Sequence, residues 1–228
     1  VFARAAGPVA RWDFGEEDVS RAVAVGAIQR DVPGPRSPEF PDFERNNTAV
    51  RFDGSGGHFA LADSGVGSPL DFTNGDAITL EAWVQVEGLH ANENLYVIGK
   101  GRTGAAGFAA DNQNWALRLR AVGGQFGVSF LFATPSKTDT KTDAHWHRWT
   151  TKRGLGPDTG WHHIAVTYRF GDPASVRGWI DGQMQPGEWD MGGATTDAPV
   201  VDDDAVWIGS AMRGNPASSF RGGMDAVA

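Results

Sequence analysis

The chain has no cysteine, only four lysines in 228 residues, and no apolar run approaching the length of a bilayer crossing. Each absence closes off a class of function. Without cysteine there is no disulfide framework, no thiolate nucleophile and no Cys-ligated zinc. Twenty basic residues against 28 acidic ones give a net charge of −8 and a pI near 5.2, which leaves no broad basic face to release counterions from nucleic acid or anionic lipid. A nucleic-acid partner and membrane insertion are therefore not expected, and cations are the natural charged partners. No internal repeat is visible, which argues against a propeller. The opening VFARAAGPVA holds an Ala-x-Ala step with no basic and apolar regions before it, so no signal peptide is legible there.

What is abundant points to β-structure. Thirty-one glycines, 12 prolines and nine tryptophans supply turn formers and large, half-buried side chains. Eleven short apolar or alternating runs read as strands: VARWDF (9–14), TAVRFDG (48–54), HFALA (58–62), AITLEAWVQV (77–86), NLYVIGK (94–100), WALRLRA (115–121), QFGVSFLF (125–132), WHHIAVTYRF (161–170), VRGWIDG (176–182), AVWIG (205–209) and FRGGMDAVA (220–228). Trp115, Leu117, Leu119 and Ala121 alternate with Ala116, Arg118 and Arg120, which predicts one dry and one wet face. Asn74-Gly75, Gly123-Gly124 and Asp181-Gly182 supply the positive φ angles of tight reversals. A turn or two of helix fits residues 16–28, and the stretch 31–47, with Pro33, Pro35, Pro38 and Pro41, reads as an extended surface loop. The expectation is an all-β fold: one antiparallel two-sheet β-sandwich of jelly-roll type, a single domain over residues 1–228.

The ordered series WDF, AVRFDGSGGHFAL, ITLEAWVQV, VIGKG, GWHHIAVTY, GWIDGQ, VWIGS and FRGGMDAVA resembles the laminin G-like, concanavalin A-like jelly rolls of bacterial extracellular proteins. The resemblance spans about residues 9 to 228. It implies an extracellular or cell-surface module that recognises a glycan or a glycosylated or matrix partner, without catalysis. An inert spacer and a glucanase-like hydrolase are the alternatives. In that family the last strand normally continues past the position of Ala228, which suggests a domain that is part of a longer protein. The oligomeric state is not legible.

The resemblance also implies a structural calcium where the first and last strands meet. Its ligands would be the carboxylate of Asp225 in the last strand and backbone oxygens of Asp13 and Phe14 in the WDFG segment and of Asp53 and Gly54 in the FDG turn. The alternative is that Asp225 pairs with an arginine or caps a turn. Glucanases of this fold carry a Glu-x-Asp-x-(x)-Glu pattern on one strand. Here EWDMGG offers Glu188 and Asp190 but has Gly192 and Gly193 where the second glutamate belongs, so no catalytic residue is assigned.

Four of the six histidines crowd into DAHWHRW and GWHHIAV. His162 and His163 are adjacent, so on a strand they face apart and cannot chelate one ion, and Trp161 reads as a core anchor. In DAHWHRW, His145, His147 and Trp149 share one face of a strand, while Trp146 and Arg148 share the other. A zinc site would need a third ligand, with Asp143 the nearest carboxylate; a stacking platform for sugars, with Arg148 hydrogen-bonding, is the other functional reading. A plain aromatic strand covering the sandwich explains the pattern as well. Asn112 and Asn114, beside Gln113 and Trp115, are a palette for sugar hydroxyls or an ordinary loop. Asp202, Asp203 and Asp204 read as a solvated turn.

Overall fold

Two antiparallel sheets pack face to face. The computed structural model describes residues 7–14, 22–88, 90, 93–135 and 145–228. One sheet has eight strands, in the spatial order β1 (Val23–Val25), β4 (His58–Leu61), β14 (Val206–Ile208), β6 (Asn94–Lys100), β7 (Trp115–Val122), β8 (Gln125–Ala133), β9 (Trp146–Leu155) and β13 (Gly187–Met191). The other has seven, ordered β12 (Gln183–Gln185), β11 (Asp172–Ile180), β10 (His162–Arg169), β5 (Ala77–Val86), β15 (Arg221–Asp225), β3 (Thr48–Asp53) and β2 (Ile28–Pro33). The last strand in sequence, β15, thus sits in the middle of its sheet. No helix of the described residues is long and apolar enough to cross a membrane.

Alternation builds the core. Ile78, Leu80, Ala82, Val84 and Val86 of β5 face Leu117 and Leu119 of β7 and Phe126, Val128, Phe130 and Phe132 of β8, all buried in one cluster. Each fully buried aliphatic or aromatic side chain there contributes roughly 1.5–3 kcal/mol. Two-residue turns fix register: Ile180 pairs with Gln183 across Asp181 (φ 51°) and Gly182 (φ 72°).

Three expectations change. The 16–28 stretch is not helical where described, since Val23–Val25 is β1 and Ile28 opens β2; residues 15–21 lie outside the described residues. β-Branched valines and Gly26 favour that outcome. VARWDF makes only an isolated bridge, Trp12 to Val227. The proline-rich stretch begins inside β2 and then straps the outer face of the seven-stranded sheet, where Phe40 and Phe43 meet the Trp83 ring edge-on at 4.9 and 5.2 Å.

Lys100, the last residue of β6, is fully buried, and its ammonium pairs with Asp63 and Asp71 of the segment after β4. Burial pushes the Asp63 carboxyl up, but hydrogen bonds from Lys100, Gly65 and Ser68 outweigh it and hold the group below its ordinary value. Asp63 in the unfolded chain titrates near 3.9, so its stabilisation is present above about pH 4 and is lost as pH falls through the lower folded value. Thermal melts followed by circular dichroism should show stability falling below about pH 4. Lys100→Ala should cost about 3–5 kcal/mol in urea denaturation, because it strands two carboxylates at a buried site.

Candidate functional site

The same alternation that fills the core turns Arg118 and Arg120 of β7, Ser129 and Leu131 of β8, and Trp146, Arg148 and Thr150 of β9 to the outer face of the eight-stranded sheet. β6 adds Tyr96 and β13 adds Asp190. This face was expected to be wet. It is covered instead: Tyr96, Ala116, Leu131 and Ala211 form a second buried apolar cluster, with Trp146, Met191 and Met212 packed on it. Arg118 is 3% exposed.

Arginines are embedded in that layer. The Arg102 guanidinium lies 4.2 Å from the centre of the Trp146 ring and donates to Tyr96 Oη at 3.2 Å. Arg118 lies 5.3 Å from the centre of the Tyr96 ring, and its Nη2 reaches Ser129 Oγ at 3.4 Å. Arg120 Nη1 and Arg148 Nε each donate to Asp190 at 2.7 Å. The buried Nε atoms of Arg102 and Arg118 have no hydrogen-bond partner among the described residues. Burial pushes the Arg118 guanidinium down to about 10, and the charges of Arg148 and Arg102 add to the effect; it is still protonated at neutral pH.

The DAHWHRW stretch divides as its alternation implies. Trp146 and Arg148 face outward, whereas His147 and Trp149 face inward and are 5% exposed each. His147 Nδ1 lies 2.9 Å from the Gly193 carbonyl, and its ring stacks on Phe132 at 5.3 Å. Trp149 belongs to the main core, where Gly178 and Gly187 make room for it: a Cβ at Gly187 would stand 2.2 Å from the ring. Neither inward residue can meet a surface ligand. His145 immediately precedes β9 and is half-buried, Asp143 lies outside the described residues, and no cluster of metal-ligating side chains occurs among the described residues.

Asn112 and Asn114 are internal, which removes them as sugar contacts. Asn112 Nδ2 donates to Asp202 Oδ2 at 2.8 Å and Asp204 Oδ2 at 3.0 Å, while its Oδ1 accepts from the Arg102 N–H at 2.7 Å. Asn114 Nδ2 donates to the Asn112 carbonyl and to Asp202. Asp204 is 1% exposed and also accepts from Thr103, and Asp202 is half-buried, so of the three aspartates only Asp203 keeps the exposure expected of a solvated turn. His162 and His163 do diverge, toward Asp181 (2.7 Å) and Glu81 (3.5 Å). Trp161 is half-buried over Gly223 on the outer side of the seven-stranded sheet, outside the core cluster.

Three of the five residues expected to hold calcium come together. Asp225 is 1% exposed; its carboxylate accepts from the N–H of Phe14 (3.3 Å) and Ala226 (2.8 Å) and from the Asn47 amide (2.7 Å). Burial pushes the Asp225 carboxyl up, hydrogen bonds from Asn47, Ala226 and Phe14 pull it back, and Asp13 adds to the rise. Asp13 is held by Arg11 at 2.7 Å, and a cleft of about 920 Å³ lined by Asp13, Asn47, Phe43 and Trp83 opens beside them. Asp53 and Gly54 are elsewhere: Asp53 pairs with Arg221, four residues before Asp225 and hence about 13 Å away along the strand. Its carboxylate accepts from Ser55 instead.

Glu188 and Asp190 share the outer face of β13, yet neither is free. Glu188 pairs with Lys152 at 2.9 Å, and Asp190 with the two arginines. The arginine layer itself was not singled out from the sequence, although the alternation of Trp115 to Ala121 already turned Arg118 and Arg120 away from the core. Arg102 and Tyr96 carry no such sequence signal. Trp149→Ala should lower stability by about 3–5 kcal/mol in urea denaturation, as for other large-to-small core changes, and Trp146→Ala by markedly less.

A family profile described as the concanavalin A-like lectin/glucanases superfamily matches residues 53–228. A search of curated protein sequences finds no significant match. Among solved structures, the endo-β-1,4-glucuronan lyase from the fungus Trichoderma reesei superposes with a TM-score of 0.54 at 10% identity, covering 96% of this chain and 93% of that one. The carbohydrate esterase vb_24B_21 from the Shiga toxin-encoding bacteriophage phi24B gives 0.52 at 15% identity, covering 96% of both chains. The Trypanosoma rangeli sialidase gives 0.45 at 17% identity, with 78% of this chain covering only 25% of that one.

Proposed function

The chain belongs to the concanavalin A-like lectin/glucanases superfamily, and from that premise we propose a non-catalytic module that recognises a glycan through the outer face of its eight-stranded sheet. The observation that carries the reading is Trp146, a half-buried ring on that face with Arg148 beside it and Arg102 stacked on it. A flat aromatic surface next to guanidinium donors matches the apolar face and hydroxyls of a pyranose. Trp146→Ala should weaken binding to a responsive oligosaccharide about tenfold in isothermal titration while the circular dichroism spectrum is retained. A broad glycan array without hits would sink the reading.

Non-catalysis rests on the carboxylates. A retaining hydrolase needs one carboxylate free as nucleophile and a second as acid, about 5–5.5 Å apart. Asp190 is neutralised by Arg120 and Arg148, and Gly192 and Gly193 stand where the further glutamate would be. Release of reducing ends from a β-glucan, abolished in Glu188→Gln, would overturn this part.

We read the module as extracellular, with a structural calcium at Asp225 and Asp13. The fit is partial: a buried carboxylate with a second one nearby is oxygen chemistry for a hard cation, but the N–H donors on Asp225 would have to yield to the ion. When bound, the ion would hold the Asp13–Phe14 segment to β15. Added calcium at about 100 times its dissociation constant should stabilise the protein by about 2.7 kcal/mol, and a melting temperature indifferent to calcium and chelator would remove the site.

A further inference from the structure

We propose that the glycan bound on the outer face of the eight-stranded sheet is acidic, its carboxylate received by the guanidinium groups of Arg102 and Arg148 beside Trp146. This rests on the glycan reading above and adds to it the chemical class of the ligand.

The argument is one of charge in a protected place. The whole chain carries a net charge of −8, yet Arg102, Arg118, Arg120 and Arg148 gather on one face. Asp190 answers Arg120 and Arg148 at 2.7 Å each. Neither Arg102 nor Arg118 pairs with a carboxylate among the described residues, and Arg118 is 3% exposed. Buried arginine is ordinarily paired, because removing an ion from water without a counter-ion is costly. Here the contacts are to ring faces, a tyrosine hydroxyl and a serine, and the Nε atoms of both residues remain without a partner among the described residues. Three positive charges in excess, set in an apolar layer, define a field that attracts an anion.

The shape of the groups narrows the class. Guanidinium presents a planar fork that fits a carboxylate with two parallel hydrogen bonds. The Arg102 guanidinium lies over the Trp146 ring, so one sugar residue bearing a carboxylate would stack on the part of the ring that Arg102 leaves open while its carboxylate meets the fork. Arg118 sits beneath as a fixed charge. It strengthens the field without needing to touch the ligand.

The experiment pairs each acidic glycan with its neutral counterpart of equal length: oligoglucuronate with cello-oligosaccharide, polygalacturonate with galactan, and polymannuronate with mannan. Isothermal titration of the whole chain should show at least one acidic member bound about tenfold or more tightly than its neutral partner, the factor that one charge-assisted hydrogen bond supplies. That preference should shrink as salt is raised. Arg102→Gln should reduce affinity for the acidic member about tenfold and for the neutral one by markedly less. Arg148→Lys, which keeps the charge and loses the fork, should show the same selective loss, and circular dichroism melts control for folding. Equal affinity for acidic and neutral members overturns the acidic assignment and leaves glycan recognition standing. Selective binding of a uronate that survives both substitutions overturns the assignment to this face. No binding to any member, with a blank glycan array, removes the glycan reading itself and this proposal with it.

Discussion

Packing of Phe126, Val128, Phe130 and Phe132 against Leu80, Ala82 and Val84 fixes which side of each strand is inside, and a period of two leaves the intervening residues no choice. A shift of one residue in β7 would bring Arg118 and Arg120 into the core and turn Leu117 and Leu119 out. The outer layer, with Arg118, Arg148, Trp146 and Asp190, is therefore the complement of the core. Its composition is specified by whatever the core does not use.

Both sheets cover their outer faces, but with different materials. The seven-stranded sheet is strapped by the 34–47 segment, whose Phe40 and Phe43 close on Trp83 and whose Asn47 reaches Asp225. That covering is made of the chain's own backbone and aromatic rings, and its Asn47 donates to the Asp225 carboxylate beneath it. The eight-stranded sheet is covered, among the described residues, by long side chains together with Ala211 and Met212 of the segment after β14, and the Nε atoms of Arg102 and Arg118 are left unsatisfied there. Unanswered donors on the eight-stranded sheet are hydrogen-bonding capacity open to a partner.

Local pattern made most of the architecture legible. β5 and β6 coincide with their runs, β7 and β8 differ by one residue at one end and β10 by one at each end, because alternation, β-branched content and glycine punctuation all agree there. β1 and β2 were hidden by a stretch whose alanines also fit a helix, and β9 is absent from the eleven runs although the alternation of DAHWHRW reads as a strand. The site was less legible. Which of two alternating faces is buried can be read from residue type, but that Ala116 and Arg118 are also covered depends on Trp146 of β9 and on Arg102 and Ala211, which arrive from loops. Asn112 and Asn114 looked like sugar contacts because their polar character is visible in sequence and their partners, Asp202 and Asp204, are some 90 residues away. The calcium set failed at Asp53 for a similar reason: two strands pair antiparallel, so a turn at one end of the ladder is far from a carboxylate at the other.

The place of β15 has a consequence for how the chain reaches its structure. β2 and β3 are made early, but they join the rest of their sheet only through β15, which is made after every other described strand and pairs with β3 on one side and β5 on the other. Until it arrives, the seven-stranded sheet exists as two pieces with facing, unpaired edges. Contacts that close the gap span most of the chain, as in Phe14 with Asp225, 211 residues apart. Closure must then be slow relative to the hairpins of β7 with β8 and β10 with β11, and a nascent chain carries two open strand edges for most of its synthesis. Such edges recruit foreign strands, so the interval before the last strand inserts is when this fold is most exposed to aggregation.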